Sequence, residues 1–239
     1  MKNKILSKGI LEIKIENINT LSEEEYALVR KESFGGSDSS VLCGVNLYKS
    51  MDQLIKEKNT KCLTKEEIEV GKKPVVIKGR ELEPLILAKA EAELKTDIIK
   101  PTDMFVFKDL DILTLNYDGI TEINDELIPV EAKLVSKYGE KYYNKSKTLE
   151  ENRMVDMGVE GEDLATHIKR KALHVGIPAY YYTQCQQEMM GTDAPYCYLA
   201  CLFDDSWTFK LYLVKKDVYV QNKIRIIAEN NKDKIKKNA

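Results

Sequence analysis

The sequence predicts an α/β fold, a central mixed β-sheet flanked by helices. Three observations lead there. Runs rich in β-branched and aromatic residues at 104–107, 113–117, 127–133, 196–203 and 207–213 read as strands. Longer runs at 22–31, 85–94, 180–190 and 216–227 read as helices from their composition and spacing. The 239 residues are 43% apolar and include 13 Tyr and 5 Phe, enough to fill the core of one large domain.

Along the chain, residues 1–20 alternate isoleucine (Ile13, Ile15, Ile18) with charge, which fits a strand or a loosely attached arm. Ser22 and Glu25 are spaced as a capping box for the helix 22–31. Gly35-Gly36-Ser37 precedes a semi-apolar run, 38–42, and reads as a helix start with Ser37 as N-cap. A helix is expected over 50–57, and the charged stretch 60–73 reads as a solvated helix or loop. Glu81, Leu82, Glu83 and Pro84 open the next helix, whose stripe of Leu82, Leu85, Ile86, Ala90 and Leu94 faces the core. Two short strands follow, joined by a turn-rich loop at 121–126. Residues 138–175 are polar and partly helical (149–155 and 162–173) and read as an inserted arm. The helix at 180–190 spaces Gln184 and Gln187 at i, i+3, with Met189 and Met190 as core filler. The last two strands form a hairpin around Asp204-Asp205-Ser206, and the terminal helix gives way to a tail that frays from about residue 229.

Charge and thiols narrow the function classes. With 37 Lys and Arg against 39 Asp and Glu, the net charge is −2, so no global basic field announces a nucleic-acid partner. Local basic groups do occur: Lys133, Lys137, Lys141, Lys145 and Lys147, interleaved with Tyr138, Tyr142 and Tyr143, and then His167, Lys169, Arg170 and Lys171. They suit a polyanion or a solvated loop. The two histidines, His167 and His174, have no ligand-spaced partner, which argues against zinc and against histidine-based hydrolysis. No secretory signal or membrane span is visible, so a cytoplasmic setting is expected, with the five cysteines reduced and read as core thiols.

The most informative stretch is Tyr117-Asp118-Gly119-Ile120, followed by Ile128-Pro129-Val130-Glu131-Ala132-Lys133. Two acids brought close repel unless a cation sits between them. Mg²⁺ favours oxygen ligands, often one or two carboxylates plus substrate phosphate. Lys133 lies two residues beyond Glu131, on the same strand face, where it can orient or help deprotonate a metal-bound water. Acid, acid and lysine around Mg²⁺ cut phosphodiesters. The plainer alternative is an Asp-Gly turn beside a solvated Glu-x-Lys strand edge. Gly35-Gly36-Ser37 likewise fits either an ordinary capped helix or a backbone cradle for a terminal phosphate.

Four stretches, in chain order, bear on this choice. They are Arg30 with Phe34-Gly35-Gly36-Ser37-Asp38-Ser39-Ser40 and then Gly44 to Ser50; Gly79-Arg80-Glu81-Leu82-Glu83-Pro84; Asp118-Gly119 with Glu131-Ala132-Lys133; and Tyr182 to Met190. Together they resemble the lambda-exonuclease/YqaJ family of phage recombination nucleases, a branch of the PD-(D/E)xK superfamily. The resemblance implies a restriction-endonuclease-like core within a single nuclease domain over 1–239. It implies a metal-dependent 5′→3′ exonuclease that digests one strand of linear duplex DNA. In that reading Asp118, Glu131, the Ala132 carbonyl and Glu83 (rather than Glu81) hold Mg²⁺, with Mn²⁺ as the alternative. Lys133 orients the attacking water beside Gln184, and Arg30 and Ser37 grip the 5′-phosphate of a DNA end. A ring-shaped trimer, a single-strand annealing protein as partner, and a bacterial host cytoplasm for a phage-encoded chain are further implications. An endonuclease of the same superfamily and a non-catalytic DNA-end binding module are the rivals. The stretch between Lys133 and Gln184 is longer than in the shortest relatives; it lines the DNA channel, meets a neighbouring subunit or partner, or does neither. The superfamily's four-cysteine iron–sulfur cluster is not expected, because no Cys-x-x-Cys pair exists.

Overall fold

Local capping boxes start three helices in the N-terminal third. The computed structural model describes residues 1–153 and 161–235. After helix α1 (Lys2–Ser7), strand β1 (Leu11–Ile15) carries the alternating isoleucines and pairs antiparallel with residues 104–107, so this region is a strand and not a loose arm. Helix α2 (Glu23–Val29) has the expected capping box: Ser22 Oγ accepts from the Glu25 N–H at 3.2 Å, and Glu25 accepts from the Ser22 N–H at 2.7 Å. Ser37 is not an N-cap. It lies inside a 3-10 turn (Gly36–Asp38) ahead of the short α3 (Ser39–Leu42), and the Asp38 carboxylate closes that turn by accepting from the Gly35 N–H at 3.0 Å. Capping boxes also start α4 (Met51–Lys58) at Ser50 and Gln53, and α5 (Lys65–Gly71) at Thr64 and Glu67.

Helix α6 (Pro74–Leu94) begins earlier than its apolar stripe suggests, at a proline suited to the first helical position. Glu83 is therefore mid-helix and not a first-turn acid, and Pro84 sits inside the helix. Ile86, Leu87 and Ala90 are buried, while Leu85, assigned to the core face from spacing, is 40% exposed.

Eleven further elements complete the chain: β2 (Ile98–Ile99), β3 (Met104–Phe107), β4 (Leu110–Leu115), β5 (Gly119–Ile123), β6 (Glu126–Val135), α7 (Leu149–Arg153), α8 (Leu164–Val175), α9 (Ala179–Thr192), β7 (Tyr196–Phe203), β8 (Thr208–Lys215) and α10 (Val218–Asn231). The main sheet runs β2-β5-β6-β7-β8 and is mixed: β6 and β7 are parallel, the other pairs antiparallel. Helices flank it, as the sequence predicts. Strands β3 and β4 do not join this sheet; with β1 they form a second sheet, β1-β3-β4. All four residues of β3 are buried, so this strand needs cover on both faces and a partner on each edge, and β1 supplies the second edge.

The expected 121–126 loop is mostly strand. A tight hairpin joins β5 to β6 through Asn124 (φ 52) and Asp125 (φ 64), the two left-handed residues of a type I′ turn. The parallel step from β6 to β7 requires a crossover, and α7, α8 and α9 provide it. The polar 138–175 region thus belongs to that crossover; the end of its expected 149–155 helix lies outside the described residues. Trp207 (φ 51) is in the β7–β8 turn rather than in the strand. Helix α10 reaches Asn231 and Ile235 is buried, so the chain packs on the fold as far as residue 235, and the rest of the tail expected to fray from about residue 229 lies outside the described residues. Cys43, Cys185, Cys197 and Cys201 are buried, but Cys62 is exposed and is no core thiol. Met189 and Met190 are buried. Among the described residues, no helix is long and apolar enough to cross a membrane.

Candidate active site

The β5–β6 hairpin register pairs Gly119 with Val130 and so carries Asp118 to the side of Glu131 and Ala132. Asp118 Oδ2 accepts from the Ala132 N–H at 3.0 Å. Glycine is required next to it, because a Cβ at Gly119 would meet Ile98 Cγ2 at 2.5 Å and Leu87 Cδ2 at 3.1 Å. On β6 the strand period turns Glu131 and Lys133 to the same side. Lys133 Nζ pairs with Glu131 Oε1, lies 3.9 Å from Asp118 Oδ2, and sits 5.4 Å from the centre of the Tyr181 ring.

Helix α9 closes the site from above. Gln184 Nε2 donates to Glu131 Oε1 at 2.5 Å and to Glu188 Oε1 at 3.3 Å. Glu188 is not singled out by the sequence reading. It is one helical turn past Gln184, on the same face, and that spacing is the signal that points to it. The other wall comes from the N-terminal third. Arg30 Nη2 donates to Ser37 Oγ at 2.9 Å, and the guanidinium lies 5.8 Å from the Tyr26 ring centre. Arg30, Ser37, Asp118, Glu131, Lys133, Gln184 and Glu188 line one cavity of ≈ 330 Å³, together with Asn116, also unassigned from sequence. Glu83 does not line it. Its carboxylate pairs with Lys100, yet its charge is close enough to raise the Asp118 pKa.

Electrostatics within the cavity are strained. Burial first, then the Glu131 charge, pushes the Asp118 pKa up to about 8, against the pull of Lys133. Burial and then the Glu131 charge push the Glu188 pKa well above the usual carboxylate range. Burial disfavours the Lys133 ammonium, but Glu131 and Asp118 outweigh it and hold the group charged. Glu131 is 1% exposed, and no hydrogen bond reaches its Oε2.

That acceptor, the repelled Asp118 carboxylate and the neighbouring Ala132 backbone form an all-oxygen donor set that fits a hard divalent cation. Among the described residues, no three His, Cys, Asp or Glu side chains gather closely enough to hold an ion by themselves.

Residues 25–195 match the YqaJ-like viral recombinase domain. The chain belongs to that family. The matched span contains every residue of the cavity wall from Arg30 to Glu188. Two solved proteins share the fold. An alkaline exonuclease (LHK-Exo) from Laribacter hongkongensis gives a TM-score of 0.54 at 14% identity, over 87% of this chain and 91% of that one. The same exonuclease in complex with dAMP gives 0.54 at 14% identity, over 87% and 92%. A phage-related exonuclease from Haemophilus somnus 129PT gives 0.51 at 12% identity, over 85% and 93%. At these identities the likeness is one of fold. Among curated proteins, none matches the chain.

Proposed function

We propose that this YqaJ-family protein is a divalent-metal-dependent exonuclease that digests one strand of linear duplex DNA from its 5′ end. One observation carries the reading: Arg30 and Ser37 share a single cavity with Asp118, Glu131 and Lys133. A group that grips a terminal phosphate beside a phosphodiester-cutting constellation selects DNA ends over continuous strands. The exonuclease names of the two structural neighbours support the same class.

In this reading Asp118, Glu131 and the Ala132 carbonyl hold the metal, with Glu83 adding negative charge from α6. Mg²⁺ is the expected ion and Mn²⁺ the alternative. When bound, the ion supplies Lewis-acid polarisation of the scissile phosphate and neutralises charge in the transition state. Gln184 fixes Glu131 Oε1 and leaves Oε2 unbonded. Lys133, whose ammonium is favoured by Glu131 and Asp118, serves as a donor that orients the attacking water. Burial and the Glu131 charge disfavour a third negative charge on Glu188. Arg30 offers a fixed fork of N–H donors, and Ser37 a hydroxyl, to the 5′-phosphate. DNA ends are the partner this site supports. The family likeness further supports a ring of three copies and work beside a single-strand annealing protein.

The test is digestion, with Mg²⁺, of linear duplex DNA with and without a 5′-phosphate, beside a covalently closed circle. Degradation of the linear forms only, faster with the phosphate, is the expected result. Cutting of the circle would make the protein an endonuclease, and no cutting of any substrate would leave a DNA-end binding module.

A further inference from the structure

Behind the Arg30 and Ser37 wall lies a buried ion pair that the proposed chemistry does not use. Lys58, the last residue of α4, is 8% exposed, and Asp38 is 9% exposed. Lys58 Nζ donates to Asp38 Oδ2 at 2.6 Å and to the Arg30 carbonyl at 2.8 Å. Asp38 Oδ2 also accepts from the Gly35 N–H. A Cβ built on Gly35 would stand 4.0 Å from Asp38 Oδ2 and 4.0 Å from Arg30 Nη2, so the carboxylate and the guanidinium flank one glycine. Both cations act on Asp38, Lys58 the more strongly.

Two cations therefore compete for one carboxylate, and the one that holds it is not part of the cavity wall. Arg30 lines the cavity, whereas Lys58 does not. Among the described residues, Arg30 has no ion-pair partner, and its guanidinium is bonded to a neutral hydroxyl. Because Lys58 takes Asp38, the surplus positive charge stays on the residue that an anion can reach. A buried pair is a poor source of stability, since desolvating both charges offsets their attraction. Its effect is on charge placement.

We propose that Lys58 is a positioning residue for end recognition: by holding Asp38 behind the Gly35–Ser37 turn, it keeps Arg30 unpaired and available to a terminal phosphate. The inference rests on the phosphate-gripping role given to Arg30 above. Without Lys58, Asp38 would turn to Arg30 and occupy the site as an internal anion.

The test compares affinities for duplexes ending in a 5′-phosphate or a 5′-hydroxyl, by fluorescence anisotropy in EDTA. The wild type, Lys58→Met, Asp38→Asn and the double variant are measured, each with a thermal melt to establish folding. Charge-assisted hydrogen bonds predict a wild-type preference for the phosphate on the order of tenfold or more. In Lys58→Met the preference falls toward one, and in the double variant it returns, because asparagine does not compete for Arg30. Asp38→Asn alone keeps it. A simple loss of packing does not produce this rescue. Full preference in Lys58→Met overturns the proposal, as does a double variant that stays at the Lys58→Met level. If Lys58→Met does not fold, loss of preference in Asp38→Asn overturns it instead. A wild type that binds both ends equally would refute the phosphate reading itself, an outcome distinct from either of these.

Discussion

Replacing Asp118 with asparagine removes one of two like charges from a cavity in which Lys133 is the cation nearest to both. The Asp118 pKa rises from 3.8 to about 8 through burial and then through Glu131. Roughly 4 units correspond to a ceiling of ~6 kcal/mol at about 1.4 kcal/mol per unit. The side chain is 24% exposed, so water screens part of this and ~2–3 kcal/mol is the expected realised cost. The sign follows from which state holds the proton more tightly. Here it is the folded one, so below the unfolded pKa near 4 ionisation costs nothing, and the penalty accumulates as pH rises toward about 8. An asparagine amide carries no charge and escapes that slope. In EDTA, Asp118→Asn should therefore melt above the wild type by roughly 4–12 °C at pH 8.5, taking 2–4 °C per kcal/mol for a chain of this size. The gap should shrink toward pH 5. The same variant should not cut DNA, and Mg²⁺ should raise the melting temperature of the wild type more than its own. Melts by circular dichroism across pH 5–9 decide it. A gap that does not depend on pH, or a wild type more stable at pH 8.5, would refute the claim that apposed carboxylates strain this site.

Three further outcomes are expected. Lys133→Ala should reduce cleavage of linear DNA by at least 10²-fold while the protein stays folded, read by gel assay with Mg²⁺ beside a thermal melt. Arg30→Ala should slow digestion of 5′-phosphorylated ends while 5′-hydroxyl ends lose little; an equal loss on both would remove its anchoring role. Gly191→Ala should lower the melting temperature by roughly 3–10 °C through overpacking, because its Cβ would run into Leu11, Leu115 and the Tyr117 hydroxyl.

Strand periodicity makes the Asp118, Glu131 and Lys133 constellation legible, because one hairpin and one alternation rule place all three. The capping box at Ser22 is equally local, and the structure has it. What is not legible depends on distant partners. The pattern at 104–107 says strand, but nothing within it says that the partner is β1 and not the main sheet. The α6 start is obscured because its first turns expose Val75 and Ile77, so no core stripe marks them. Asp38 and Lys58 each look like ordinary surface charges until the turn and α4 fold together. Glu188 sits among core residues of α9, where only its spacing from Gln184 points at the site.

Helix α9 also explains why the two halves of the site meet. Gln184, Glu188 and Gly191 fall at i, i+4 and i+7, a single helical face. That face docks on β1 and β4 at Gly191, where only a hydrogen atom fits, and presents Gln184 and Glu188 to Glu131. From the adjoining position, Gln187 Nε2 donates to the carbonyls of Phe34 at 3.2 Å and Thr114 at 3.1 Å, which ties the segment after Arg30 to the second sheet. A Cβ on Gly36 would come 3.4 Å from Gln184 Cγ, so the phosphate-side turn rests directly on the helix. The separation between the Arg30 and Ser37 pair and the Asp118 and Glu131 pair is therefore set by how closely α9 packs. Any substitution that lifts α9 from β4 should move both halves at once, which makes Gly191 a determinant of site geometry although it does not itself line the cavity.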